Sequence, residues 1–240
     1  MTTRLETLSP RLAKIKRYVS KRRVADIGCD HGKLIDDLFA SGLIDYAFVS
    51  DISEPSVQKA VILLTKHGYN FDYAVADGLQ AIKPEHNIEE VVISGMGGLE
   101  IIKILSNNTT NISDFVLQPQ NNEIALKKFL VSHGYNIIKD QIVKDRHMFY
   151  NVLKVIKTNK KQHISAFYLQ FGVTNFESKS HDFLEYLDFL DKRCNNIITK
   201  APFFKRLAVK KQLKQIKKAY KKWGKINERN FAISKNWYGT

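Results

Sequence analysis

The sequence predicts an α/β protein: a Rossmann-like, doubly wound sheet followed by a C-terminal α-helical coiled-coil domain. Three observations predict it. Short apolar runs alternate with helix-period segments from Val24 to Ile156, in the order β-α-β-α-β-α-β-α-β-α-β-β, the pattern of one doubly wound sheet. Four successive strand ends carry acids or glycines: Gly28 with Asp30, Asp51, Asp77 and Gly95. Strand ends of a parallel sheet share one edge, so these groups are expected to meet. After the last strand, helical spacing takes over. The expected division is a ligand-binding domain over residues 1–157 and a basic helical domain over 158–240.

The central stretch is Val24-Ala25-Asp26-Ile27-Gly28-Cys29-Asp30-His31-Gly32-Lys33. An apolar run leads into two glycines, and an amphipathic segment (Leu34, Ile35, Leu38, Phe39) follows at once. That is a strand, a tight turn and a helix start. The glycine spacing is G-x-x-x-G rather than the G-x-G-x-x-G of pyrophosphate-binding loops. Asp30 would face such phosphates. Carboxylates at the turn suit instead a cationic ligand, such as the sulfonium and ammonium of S-adenosylmethionine. On this stretch alone, an ordinary strand–helix turn with solvated aspartates stays open.

The remaining elements are read in chain order. Ser9-Pro10 marks a helix start with Ser at N-cap and Pro at N1. Leu12, Ile15, Tyr18 and Val19 give that helix its apolar face, and Arg11, Lys14 and Arg17 offer a basic one. The first strand is Val24–Ile27 and its helix Lys33–Ala40, closed by Gly42. The second strand, Tyr46–Asp51, ends in an acid 23 positions after Gly28. An acid roughly 20 residues on accepts hydrogen bonds from ribose hydroxyls in nucleotide-binding sheets; Ile52 follows it. The alternative role, a helix cap, is already offered by Ser53 before the helix Ser56–Lys66. Phe71–Ala76 is the third strand, ending in Asp77-Gly78, either a turn dipeptide or a contact to an adenine amino group. Val91–Ser94 is a buried fourth strand that runs into Gly95-Met96-Gly97-Gly98, a glycine density expected where backbone must come close to a ligand. Phe115–Leu117 is the fifth, ending in Gln118-Pro119, and the helix Ile124–Ser132 follows. Tyr135–Val143 and Phe149–Ile156 close the sheet as an antiparallel pair.

The last part carries two apolar stripes: Phe183, Leu187, Leu190, Cys194, Ile197, and Val209, Leu213, Ile216, Tyr220, Trp223. Both step by 4 and 3, and Ala201-Pro202 separates them, so two long antiparallel helices in coiled-coil style are expected. The charge is divided. Residues 1–150 hold 18 basic and 18 acidic side chains, whereas 151–240 hold 20 basic and 6 acidic, which contains the whole excess of +14. Nine cations lie from Lys205 to Lys222 without an acid, among them Lys210, Lys211, Lys214 and Lys218. Such a face repels itself unless a polyanion meets it, so nucleic acid is the expected partner.

Other classes are disfavoured. No apolar run approaches the roughly 18 residues of a membrane span, and Met1–Glu6 has no signal-peptide character. The two cysteines, Cys29 and Cys194, form no disulfide or metal framework. A cytoplasmic, monomeric protein without membrane contact or structural metal is expected.

Taken together, Ala25-Asp26-Ile27-Gly28-Cys29-Asp30-His31, Ser94-Gly95-Met96-Gly97-Gly98, Leu117-Gln118-Pro119 and the opening Leu8-Ser9-Pro10-Arg11-Leu12 resemble the bacterial tRNA (adenine-22) N1-methyltransferases, within the class I S-adenosylmethionine-dependent methyltransferases. The resemblance runs over nearly the whole chain. It implies tRNA as substrate, with Asp26, Gly28, Cys29, Asp30, His31, Asp51, Ile52, Asp77, Gly78 and Gly95–Gly97 around the methyl donor. Met96, Gly97, Gly98, Gln118 and Pro119 are expected where the base arrives, and Asp26 and Asp30 are expected to matter most for activity, through donor placement. Arg11, Lys14, Arg17, Lys205, Lys210, Lys211, Lys214 and Lys218 are expected to bind RNA. Adenine N1 has an in-plane lone pair and no proton, so direct attack needs no general base. Three rival readings share parts of this pattern: a methyltransferase for another RNA or a small molecule, a nucleotide-dependent oxidoreductase, and a non-catalytic RNA-binding protein. Phe149 or Tyr150 is a candidate to stack on the base, with core packing the other role.

Overall fold

The structure, a computed structural model, describes residues 8–158, 160–200 and 202–237, with side chains described except at 203, 205 and 225–237. Met1–Glu6, Ala201 and the side chain of Lys205, all used above, lie outside the described residues. The elements run α1 (Pro10–Tyr18), β1 (Arg23–Ile27), α2 (Lys33–Ala40), β2 (Tyr46–Asp51), α3 (Glu54–Lys66), β3 (Phe71–Val75), β4 (Glu90–Met96), α4 (Gly98–Ser106), β5 (Asp114–Pro119), α5 (Glu123–Ser132), β6 (Tyr135–Asp145) and β7 (Met148–Lys157). Four helices follow: α6 (Ala166–Phe171), α7 (Val173–Glu177), α8 (His181–Lys200) and α9 (Phe203–Trp237).

Among the described residues, seven strands make one mixed, Rossmann-like sheet in the order β3-β2-β1-β4-β5-β7-β6. β1 to β5 are parallel and β7 is antiparallel to β5. The apolar runs of β1, β2, β4 and β5 are buried on both faces, as parallel strands between helix layers require. Alternation along β1 sends Ala25 and Ile27 into a cluster with Ile101 and Leu105 of α4 and Leu126 and Leu130 of α5. Val24 and Asp26 point to the other face. β3 is the edge strand and is half exposed; its Asp72 accepts the Tyr46 hydroxyl at 2.6 Å.

Helix starts follow local chemistry in part. Ser9 Oγ accepts from Leu12 N, and Pro10 occupies the first turn of α1. α3 begins at Glu54 rather than Ser56, with Pro55 in its first turn. Ser53 makes no side-chain cap there; Asp51 Oδ1 instead accepts the Ser53 N–H at 2.9 Å. The helix starts two residues earlier because Pro55 is pre-set for a helix start.

At the end of the sheet away from the β1 turn sits a buried ionic cluster. Glu90 is fully buried and paired with Lys154 Nζ. Its other oxygen accepts Ser20 N at 2.8 Å and Lys21 N at 3.0 Å, while Lys154 also reaches Ser20 Oγ at 2.9 Å. The pair thus ties β4, β7 and the α1–β1 connection together.

The chain divides into two compact units. The first runs to Lys139 and takes up Tyr150–Ile164; the second comprises Asp140–Phe149 and the chain from Ser165. The second unit has its own apolar core: Ile142, Phe171, Phe176, Phe183, Leu187, Leu190, Cys194, Ile216 and Ala219. Asn175, fully buried, donates to Phe171 O and accepts from Ile142 N, each at 2.8 Å. The spacing placed Phe183, Leu187, Leu190, Cys194 and Ile216 correctly in this core, but Ile197 is exposed. The short helices α6 and α7 had no sequence-based expectation, because neither spans enough turns to show a period.

Breaking a buried ion pair leaves an uncompensated charge and costs about 3–5 kcal/mol. Glu90→Ala or Lys154→Ala alone is expected to lower stability by that amount in urea unfolding at neutral pH. The double change Glu90→Leu with Lys154→Met is expected to recover most of the loss.

Candidate active site

The parallel register decides the site. Asp26 lies opposite Val49 and Val92, and Ile27 opposite Ser50 and Ile93. Asp51 lies opposite Val75, and Ser94 opposite Gln118. The turn after β1, Asp51, Asp77, Gly95 and Gln118 therefore sit along one rim of five adjacent strands. At ~4.8 Å per strand that rim spans about 19 Å.

The β1 turn is held by backbone and by Asp51. Gly28 N and Cys29 N both donate to Ser50 O, at 2.8 and 3.1 Å. Asp30 N donates to Asp51 Oδ2 at 3.3 Å, and Asp30 itself is left-handed, φ 47°. Gly28 has φ 79°, a conformation that side-chain-bearing residues rarely adopt, and this backbone requirement calls for glycine; the flexible end of the Met96 side chain lies over it. Gly98 is limited instead by backbone: its N–H donates to Asn121 O at 3.0 Å, and a Cβ would stand 2.6 Å from that oxygen.

Asp26 dominates the electrostatics. It is 3 % exposed, and its Oδ1 has no hydrogen-bond partner among the described residues; Ser50 Oγ is in the same state. Burial, then Asp51, then Asp30 push its carboxyl up to about 7. Burial and the same carboxylates also push the Cys29 thiol up, so Cys29 packs rather than reacts. Asp30 is mostly exposed and stands 2.7 Å from His31 Nδ1. The arrangement offers a buried, partly protonated carboxylate flanked by two more. A cation is the ligand that restores its ionised form.

The other expected residues fall into place unevenly. Ile52 is 74 % exposed beside Asp51. Asp77 pairs with Lys103 at 3.0 Å, and Gly78 packs on Ile104; both line a small depression with Leu79 and Asn107. Gly97 lies against the Asn121 side chain, and Pro119 is buried next to Met96 in the ladder. Gln118 is fully buried: its Oε1 accepts from Arg11 Nη1 at 2.5 Å and Gly95 N at 3.2 Å, and its Nε2 donates to Pro119 O at 2.8 Å. Its polar atoms are thus taken up by protein partners. Phe149 packs on Tyr186 and Phe189, whereas the Tyr150 ring lies 5.7 Å from the Arg11 guanidinium.

The expected RNA-binding cations separate into groups. Arg11 faces the rim, Lys14 lies 6.0 Å from the Tyr18 ring, and Arg17 is exposed. Lys210, Lys211 and Lys214 are exposed on α9, and Lys218 lies 4.9 Å from the Phe167 ring. Sequence reasoning missed Ser50, Tyr150 as a partner of Arg11, and Asn121. Among the described residues no group of side chains could hold a metal, and no helix is long and apolar enough to cross a membrane.

The chain is similar to known proteins. The family model for TrmK, tRNA (adenine(22)-N(1))-methyltransferase, matches residues 24–225. A Mycoplasma pneumoniae protein is 38% identical over 135 residues, 55% of this chain and 62% of its own length. The tRNA (adenine(22)-N(1))-methyltransferase of Bacillus subtilis is 29% identical over 152 residues, 61% of this chain and 63% of its own. The chain thus spans under two thirds of these curated relatives. A Streptococcus pneumoniae structure in complex with S-adenosyl-L-methionine superposes with a TM-score of 0.79 at 26% identity, over 88% of this chain and 99% of that one. With the family model covering both the carboxylate rim and most of the basic helices, the chain belongs to the TrmK family of tRNA (adenine(22)-N(1))-methyltransferases.

Proposed function

We propose that this chain methylates N1 of an adenosine in tRNA, position 22 by family membership, with S-adenosylmethionine as donor, acting as a cytoplasmic monomer. The single observation that carries the reading is the buried, unpartnered Asp26 oxygen at a rim lined by Asp30 and Asp51. An anionic ligand would leave that carboxylate worse off, whereas a sulfonium with an ammonium group answers its charge.

The donor set fits that molecule. Asp26 and Asp30 face its positive charges, and Asp51, at the end of β2, is placed for ribose hydroxyls. Asp77 with Gly78, Leu79 and Ile104 forms the adenine end. When bound, S-adenosylmethionine supplies an activated methyl group that the adenine N1 lone pair takes directly. The chain's own work is placement. N1 carries no proton, so no side chain need remove one before attack, and proximity and orientation account for the rate. Gly95–Gly98 brings backbone close to the arriving base. That base is presented by local opening of the RNA, at a cost of a few kcal/mol.

The C-terminal residues, 158–240 in the division by sequence, serve in this reading as a basic, coiled-coil RNA-binding domain built on α8 and α9. Its exposed Lys210, Lys211 and Lys214 meet phosphates, and Lys218, over Phe167, adds charge beside an aromatic ring. Arg17 and Lys14 on α1 add a second basic surface.

The direct test is incubation with labelled donor and unmodified tRNA, digestion, and identification of the nucleoside; 1-methyladenosine is expected, and label in any other product overturns the reading. Asp26 sharpens it. Its pKa is raised from 3.8 to about 7 in the folded state. Its contribution to stability is therefore full below about pH 4 and lost as pH rises through 7. Asp26→Asn is expected to stabilise the ligand-free protein at pH 8 by up to ~4 kcal/mol, at 1.36 kcal/mol per unit, while weakening donor binding at least tenfold. Thermal unfolding and calorimetry read the two effects. In the unsubstituted protein, donor binding near pH 6.5 is expected to release up to one proton, seen as buffer-dependent heats; buffer-independent heats would remove Asp26 from the site. Reversing Lys210, Lys211, Lys214 and Lys218 to Glu is expected to weaken tRNA binding and flatten its salt dependence by about 0.7–0.9 per lost phosphate contact. Donor affinity is expected to stay unchanged.

A further inference from the structure

Arg11 was expected on an RNA-facing helix surface, yet its guanidinium is turned into the rim. Nη1 stands 2.5 Å from Gln118 Oε1, and the ring of Tyr150 lies 5.7 Å from the guanidinium carbon. A Cβ on Gly95 would come within 3.9 Å of Nη1. The helix that carries Arg11 is anchored. Its Ile15 is fully buried, and its Lys16 pairs with Asp37 of α2 and bonds Ser41 Oγ. Arg11 is thus delivered to the catalytic rim from a fixed support, 107 positions before the residue it holds.

The chemistry of the carboxamide gives the contact its meaning. An amide oxygen has two lone pairs. Both are engaged at Gln118, one by Arg11 and one by the Gly95 N–H. The amide nitrogen is turned to Pro119 O. With a buried side chain and a saturated oxygen, Gln118 has no acceptor left for a substrate amino group. Its effect on the reaction passes through the Gly95 backbone. A charged donor makes that arrangement roughly twice as strong as a neutral one, and it fixes which way the carboxamide points.

The geometry points to Arg11 as a positioning residue for methyl transfer. It locks Gln118, Gln118 holds the Gly95 N–H, and the Gly95–Gly98 turn is thereby set where the target base must lie. It is not a phosphate contact. This rests on the function proposed above. A displacement of about 1 Å at a reacting centre costs on the order of a hundredfold in rate, and removal of the guanidinium loosens the turn without touching the carboxylates that face the donor.

The test uses the full chain with Arg11→Ala and Arg11→Lys, after the unsubstituted protein has been shown to form 1-methyladenosine in tRNA. For Arg11→Ala, kcat at saturating tRNA is expected to fall ten- to a hundredfold. The donor Kd is expected within twofold, and the salt slope of tRNA binding unchanged. Arg11→Lys keeps the charge but not the planar fork, and is expected to recover part of kcat. Unchanged kcat, a salt slope flattened by about 0.7–0.9, or a parallel loss of donor affinity each overturns the inference. Should Arg11→Ala fail to fold, Arg11→Lys carries the same readouts, and kcat equal to that of the unsubstituted protein sinks the assignment. Absence of methyl transfer by the unsubstituted protein overturns the proposed function instead, so the two failures are distinct.

Discussion

The parallel pairing of β1 with β2 and β4 is the constraint on which the rest depends. Once Asp26 is opposite Val49 and Val92, the turn after β1, the acid ending β2 and the glycines ending β4 have one place to go. A shift of one residue would reverse the facing of every side chain in β1. It would send Asp26 into the apolar cluster that Ala25 and Ile27 occupy. The site is therefore a consequence of the register, which keeps Ala25 and Ile27 in the apolar cluster and Asp26 out of it.

That rim is maintained against its own electrostatics. A carboxyl pushed up to about 7 by burial and two neighbouring acids is a cost to the fold. Strain of this sort concentrates at sites whose ligand relieves it. The opposite end of the sheet shows the contrasting solution. There Glu90 and Lys154 are buried together, with backbone N–H groups of Ser20 and Lys21 completing the carboxylate. One end of the sheet is closed by paired charge; at the other, Asp26 is buried with an oxygen that no described residue meets.

The second unit shows how a basic surface and an apolar core share the same helices. Phe183, Leu187, Leu190 and Cys194 of α8 meet Ile216 and Ala219 of α9 in one cluster. The lysines between those positions face outward. Lys218 and Lys222 also lie over Phe167 and Tyr168, so part of the charge is spread across aromatic faces as well as solvent.

The strand–helix order, the chemistry of each strand end and the partition of charge were legible in the chain, because each depends on residues close in sequence. Asp26, Gly28, Asp51 and Gly95 could be assigned to one edge without coordinates, since parallel strands leave no other edge for them. The start of α3 was misjudged because Pro55 rather than Ser53 sets it, and Ile197 because a repeat continues in sequence past the point where its partner helix covers it. Contacts between distant residues had no local signature. Arg11 with Gln118 and Glu90 with Lys154 are separated by 107 and 64 positions. Their meeting follows only when helices dock and strands take their register. The sequence by itself determined which strand-end groups share the rim. The tertiary structure alone decided which of them are buried without partners, because desolvation belongs to the packed state and not to the residue.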